Sequence, residues 1–140
     1  MPDQQRADGP EDVDLSPGAT MSPAEPLERG DRRALWWVLG VLIVVQLVGL
    51  YSPGTPGVPE PIYVDKVVHA AMFGLPLYVL GRLTTRRWLW AGVFVAHAAL
   101  SEIVQYAFIP GRDGDVFDFT ADVVGIGIAL LALHWSRKAA

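Results

Sequence analysis

No cysteine occurs among the 140 residues, which excludes disulfides, thiolate metal sites and a cysteine nucleophile and leaves the redox compartment unread. A glycine-rich phosphate loop, a zinc-protease helix and a basic nucleic-acid patch are missing too, so nucleic acid is not an expected partner. Strand-like alternation is absent. Charge is scarce, at 19% of residues, and unevenly spread. Residues 1–33 hold eight acids and four arginines, whereas the remaining chain holds seven acids and seven bases, so the net charge of −4 belongs to the first segment.

That first segment carries Pro2, Pro10, Pro17, Pro23 and Pro26 among acidic and small residues. It has no apolar periodicity able to offset the entropy of ordering it, and residues 1–33 are expected to be a disordered, acidic, proline-rich tail. It also lacks the basic start and small-residue cleavage site of a secretory signal, so the first apolar run is expected to remain as an anchor.

The chain is 51% apolar and its mean hydropathy is +0.31, more apolar surface than so short a chain hides in soluble domains. Apolar stretches fall at residues 34–50, 67–83, 88–109 and 117–135. At about 1.5 Å per residue each approaches the ~30 Å hydrocarbon thickness of a bilayer, the two shorter ones with an added turn. Only helices close their own hydrogen bonds across lipid. The expected fold is therefore all-α, a polytopic membrane protein with residues 34–140 forming a four-helix transmembrane bundle.

Basic residues beside the spans orient them. Arg29, Arg32 and Arg33 precede the first span, Arg82, Arg86 and Arg87 separate the second from the third, and Arg137 and Lys138 follow the fourth. Lys66 and Arg112 are the only bases on the other side. The expected localisation is thus the cell membrane, multi-pass, with both termini cytoplasmic and loops 51–66 and 110–116 outside. All five tryptophans, Trp36, Trp37, Trp88, Trp90 and Trp135, fall near the cytoplasmic ends, where amphipathic rings favour the interface.

Against this apolar background the misplaced charges stand out. Asp65, Lys66 and His69 open the second span, Glu102 and Gln105 lie near the outer end of the third, and Asp118 and Asp122 open the fourth. Spacings of three and four put each set on one helical face. An ionisable group at a membrane helix centre costs roughly 2.5–3.5 kcal/mol on insertion scales, so three polar faces aimed at one volume suggest a site. Glu102, the deepest acid, needs either a retained proton or an opposite charge such as Lys66 or Arg112. A plainer alternative is a salt-bridge cluster that fixes helix register, but polar contacts between membrane helices average only about 0.6 kcal/mol.

Ile109-Pro110-Gly111-Arg112-Asp113-Gly114-Asp115 reads as a tight turn that keeps Arg112 beside the acids. Its guanidinium suits a two-bond grip on phosphate or carboxylate; equally, it could neutralise Asp113, Asp115 or Asp118. His97 sits off the Glu102 face and is expected to pair across the bundle, while His134 beside Trp135 carries no chemistry. Gly74 and Pro76 suggest a local kink in the second span. Ala121, Gly125 and Ala129 form a small-residue face, more suited to packing within the bundle than between subunits.

The ordered set Asp65-Lys66-x-x-His69-x-x-x-Phe73-Gly74, Glu102-x-x-Gln105, Pro110-Gly111-Arg112 and Asp118-x-x-Ala121-Asp122-x-x-Gly125 resembles the VanZ-like family of small bacterial membrane proteins. The resemblance covers about residues 62–133, and the first span and tail match only in character. It implies a cell-envelope protein, with a link to glycopeptide (teicoplanin) tolerance through the family's namesake, but no reaction. Asp122 stands where many members have Asn.

Two functions are compatible with these residues. One is a binder of an anionic lipid-linked or cell-wall ligand, in which Asp65, Lys66, Gln105, Arg112, Asp118 and Asp122 line the pocket; four helices offer little wall, and a homodimer would add more. The other is a membrane enzyme acting on a phosphate-bearing, lipid-linked envelope precursor. There His69 or Glu102 is the general acid or base, and a divalent cation is held among His69, Glu102, Asp118 and Asp122. No activated nucleophile is evident, since Ser101 beside Glu102 lacks a base.

Overall fold

The computed structural model describes residues 29–53, 62–112 and 114–138. They form four helices, α1 (Arg29–Tyr51), α2 (Ile62–Leu83), α3 (Arg87–Phe108) and α4 (Val116–Lys138). The chain is all-helical over the described residues, and all four helices are long and apolar enough to cross a membrane.

Each helix outruns its apolar stretch at one end or both. α1 starts at Arg29, so Arg29, Arg32 and Arg33 are helical rather than part of a disordered tail. Arginine is a good helix former, and Asp31 in the first turn complements the helix dipole. The rest of the expected tail, residues 1–28, lies outside the described residues. α2 begins at Ile62, which puts Asp65 in its first turn and makes Asp65 and Lys66 helical rather than loop residues.

Connections are short where they are described. Thr84–Arg86 joins α2 to α3, with the Arg86 N–H donating to Thr84 Oγ1 at 3.2 Å. The short connections 84–86 and 109–115 make α2, α3 and α4 successive antiparallel neighbours. The N-terminal ends of α2 and α4 and the C-terminal end of α3 therefore share one end of the bundle, and the arginine-rich ends share the other.

Burial is inverted relative to a water-soluble bundle. Trp37, Tyr63, Phe108 and Val116 are each more than three-quarters exposed, whereas Gln46, His69, Ser101, Gln105, Asp118 and Asp122 are all buried. A continuous apolar exterior of this kind marks contact with lipid or with another protein. An apolar core does exist, in which Leu39 and Leu50 of α1 meet Phe73, Leu77 and Leu80 of α2, with Phe94 and Ala98 of α3 and Ile126 and Ala129 of α4. Phe73 and Phe94 pack edge to face at 6.3 Å between centroids.

The tightest pairing is α2 with α4, and two glycines permit it. A Cβ on Gly125 would overlap the carbonyl of Ala70, and one on Gly74 would lie 2.8 Å from the Gly125 oxygen. With Ala129 also buried, the small-residue face of α4 is spent inside the bundle. α2 continues as helix through Pro76, and Gly74 serves this contact. Because backbone meets backbone there, Asp122 and Asp118, three and seven residues before Gly125, come alongside His69 and Lys66.

Candidate functional site

At the polar end, acids and bases from α2, α3 and α4 occupy one volume in two linked groups. The first centres on Lys66. Its ammonium donates to Asp65 Oδ2 at 3.1 Å, to Asp115 Oδ2 at 3.2 Å and to Asp118 Oδ1. Three donors meet three carboxylates, which is all the hydrogen bonding an ammonium can make.

The second group is deeper. His69 Nδ1 lies 3.0 Å from Asp122 Oδ1, an imidazole N–H to carboxylate bond. His69 is 2% exposed and Asp122 is 0% exposed. The other ring nitrogen, Nε2, is 3.9 Å from Asp65 Oδ1 and 4.0 Å from Asp118 Oδ1, and so joins the two groups. Glu102, half-buried, accepts the Asp115 backbone N–H at 2.8 Å through Oε2. Glu102 Oε1 and Asp122 Oδ2 have neither solvent exposure nor a hydrogen-bond partner among the described residues.

Asp115 ties the loop to both groups and caps α4. Its Oδ1 accepts the Phe117 N–H at 2.9 Å, as an N-cap aspartate should. That N–H chiefly, with Lys66 adding to it, holds the Asp115 carboxyl below its ordinary range against the opposing effect of burial. Gly114 lets the loop approach, since a Cβ there would sit 2.5 Å from the Glu102 carbonyl.

Two residues expected in the pocket are used elsewhere. Gln105 Nε2 donates to Leu50 O at 3.0 Å, and Arg112 Nη2 donates to Gly49 O at 2.8 Å. Both carbonyls belong to the last turn of α1, where helix geometry leaves acceptors unpaired and the dipole favours a cation. The turn directs Arg112 there: Arg112 N–H donates to Ile109 O at 3.3 Å and Gly111 has φ 73°, the pattern of a type II turn with Pro at its second position. Arg112 therefore neither neutralises Asp115 or Asp118 nor reaches Glu102, and the expected pairing with Asp113 falls outside the described residues. Lys66 does not pair with Glu102 either.

The structure thus gathers Asp65, Lys66, His69, Glu102, Asp118 and Asp122, and assigns Gln105 and Arg112 to the end of α1. Sequence reasoning left Asp115 out of the site. Its signal was legible, an aspartate immediately before an apolar helical run. His97 does pair across the bundle, with its Nε2 hydrogen-bonded to Tyr51 Oη at 3.2 Å. The Ser101 hydroxyl donates to Ala98 O at 2.8 Å, so it has no base poised to activate it.

Counted as charges, Asp65, Asp115, Asp118, Asp122 and Glu102 face Lys66 and a single imidazole. The assembly attracts cations. Two sets of three residues bring one donor atom each within 4.8 Å of the others: Asp65, His69 and Asp118, and His69, Glu102 and Asp122. Beside Glu102 a cavity of about 320 Å³ opens between α3 and α4, with Glu102 and Asp115 on its wall among Ile103, Tyr106, Val116 and Phe119.

The chain is similar to an uncharacterized protein of Schizosaccharomyces pombe, 36% identical over 102 aligned positions that cover 67% of this chain and 60% of that protein. The chain thus spans less than two thirds of that relative's length. No family model matches the chain, and no solved structure matches it.

Proposed function

We propose that the chain is a multi-pass membrane protein of the cell envelope, VanZ-like in its motif order, whose polar pocket opens on the extracytoplasmic side and binds a phosphate-bearing, lipid-linked ligand. The observation that carries this reading is the convergence of six ionisable side chains from three helices at one end of an otherwise apolar, lipid-compatible bundle. Buried ionisable groups in membrane bundles mark ligand and ion pathways. The adjoining cavity supports the lipid-linked part, because its apolar wall suits a hydrocarbon chain while Glu102 and Asp115 mark where a head group would lie. Opposite this end stand Arg82, Arg86, Arg87, Arg137 and Lys138, which favour the cytoplasm.

Charge sets a condition on the ligand. The pocket's own net charge is negative and its lysine is already surrounded, so a phosphate enters only with a cation or by drawing Lys66 away from its acids. Binding is tested with the purified full chain in lipid nanodiscs and polyprenyl phosphate, with and without Zn²⁺ or Mn²⁺. Saturable binding lost in Glu102→Gln is expected; no binding under either condition would remove the ligand class. Orientation has its own test in this cysteine-free chain. Pro110→Cys should react with impermeant maleimide on intact cells and Arg86→Cys should not, and the reverse labelling would overturn the outward pocket.

The His69–Asp122 pair supports a second reading, a membrane enzyme. An imidazole held by a buried carboxylate is the usual arrangement of a general base acting on water. Release of inorganic phosphate from polyprenyl phosphate or pyrophosphate, abolished in Asp122→Asn, would select the enzyme; binding without product would select the binder.

A further inference from the structure

We infer that His69, Glu102 and Asp122 form a binding site for a divalent first-row metal ion, holding Zn²⁺ more tightly than Mn²⁺ and Mn²⁺ more tightly than Mg²⁺. The first ground is geometric: each residue offers a donor atom and the three lie within 4.8 Å of one another. His69 Nδ1 and Asp122 Oδ1 are 3.0 Å apart, about the spacing of two ligands that each stand ~2.1 Å from one ion at a right angle.

The second ground is independent of that spacing. Asp122 is 0% exposed, yet its Oδ2 has no partner among the described residues, and neither does Glu102 Oε1. A buried carboxylate oxygen without a partner carries its full desolvation penalty. A dication among the two carboxylates supplies the positive charge they lack and replaces the proton between His69 and Asp122.

Of the two donor sets, the lysine decides between them. Asp65 and Asp118 already hold the Lys66 ammonium, which competes with any ion those carboxylates would share with His69 Nε2. No lysine or arginine is paired with Glu102 or Asp122 among the described residues. Glu102 is also pre-oriented, since the Asp115 N–H fixes Oε2 and leaves Oε1 free; such supporting bonds tune metal affinity by about 10–100-fold.

One imidazole with two carboxylates is a mixed donor set that suits zinc and manganese, whereas magnesium prefers oxygen alone. Three protein ligands leave positions for water or a phosphate oxygen. Use of the ion to hold a lipid phosphate rests on the function proposed above; the ion site itself does not.

The experiment is a metal titration of the full-length chain in lipid nanodiscs after chelator treatment, by calorimetry for Zn²⁺ and by electron paramagnetic resonance for Mn²⁺, with no phosphate present. One ion per chain is expected, with Zn²⁺ affinity reduced at least about 10-fold in Glu102→Gln and in Asp122→Asn and less than about three-fold in Asp65→Asn. These amide variants keep side-chain shape, and an unchanged helical circular dichroism spectrum is required of each. Absence of binding by the unsubstituted chain, equal losses in Asp65→Asn and Glu102→Gln, or Mg²⁺ bound as tightly as Zn²⁺ would each overturn the site. Zinc binding in a chain that ignores polyprenyl phosphate would support the metal site and refute the phosphate ligand.

Discussion

The two halves of the polar cluster solve the same problem differently. Around Lys66, one ammonium meets three carboxylates, every donor is used, and the group keeps a quarter of its side-chain surface in solvent. Around His69, two acids share one imidazole, burial is deeper, and two carboxylate oxygens have nothing to bind. The first half is complete as it stands and acts as a clamp between α2, α4 and the loop before α4. The second is short of positive charge. A polar cluster at one end of an apolar helical bundle therefore need not be wholly structural or wholly functional; the difference lies in which half has its charge balanced.

Four substitutions break or sharpen this contrast. Lys66→Met should have the largest effect, because it leaves Asp65, Asp115 and Asp118 facing one another without a cation. A loss of about 3 kcal/mol is expected, the low end for orphaning a buried ion pair given the residual exposure, read from unfolding in detergent. A stability equal to the parent's would mean the clamp does not hold the helices.

Arg112→Ala should cost about 1.5 kcal/mol, the worth of a charged hydrogen bond to the end of α1. Because Arg112 belongs to neither half, zinc affinity should change less than about two-fold. A large drop in affinity with little loss of stability would return Arg112 to the pocket.

Asp122→Asn should act in the opposite sense to Lys66→Met. With chelator present it removes a charge whose outer oxygen has no partner, and stability should rise by about 1 kcal/mol. A loss of more than that, measured metal-free, would show that the His69 half is balanced after all.

The smallest effect concerns pH. Asp115 is held ionised by the Phe117 N–H and by Lys66, so its folded pKa is below the unfolded one. Its contribution is therefore present above the unfolded value, near pH 4, and is lost as pH falls through the folded value. Asp115→Asn keeps the helix cap but not the charge, and should flatten the acid end of the stability curve while leaving pH 7 stability nearly unchanged. Parallel acid limbs in parent and variant would remove Asp115 from the clamp.

Much of this was legible beforehand because helical spacing and basic flanks are local signals. Residues 65, 69, 118 and 122 share faces by their four-residue steps, and antiparallel order brings those faces to one end. The choice of partners was not legible. Which acids meet Lys66 depends on how closely α2 and α4 approach, and Gly74 and Gly125 set that distance through backbone contact. Helical spacing puts Gln105 on the Glu102 face without naming its neighbour, and a tight turn keeps Arg112 near that end without fixing its direction. The positive φ of Gly111 sends Arg112 back to α1, whose open carbonyls at Gly49 and Leu50 were invisible as partners. The start of α1 at Arg29 was obscured for a different reason: a run of arginines is polar in composition yet favourable in a helix.

The contrast between the halves reduces to whether the His69 half takes up a dication. Thermal unfolding of the full-length chain in nanodiscs, with Zn²⁺ at about 100 times its dissociation constant or with chelator, tests this directly. The ion should stabilise the parent by about 2.7 kcal/mol and Asp65→Asn by at least about 2 kcal/mol through mass action, and Asp122→Asn by no more than about 1.4 kcal/mol. A zinc-dependent shift of the same size in Asp122→Asn, or no shift in the parent, would contradict the account.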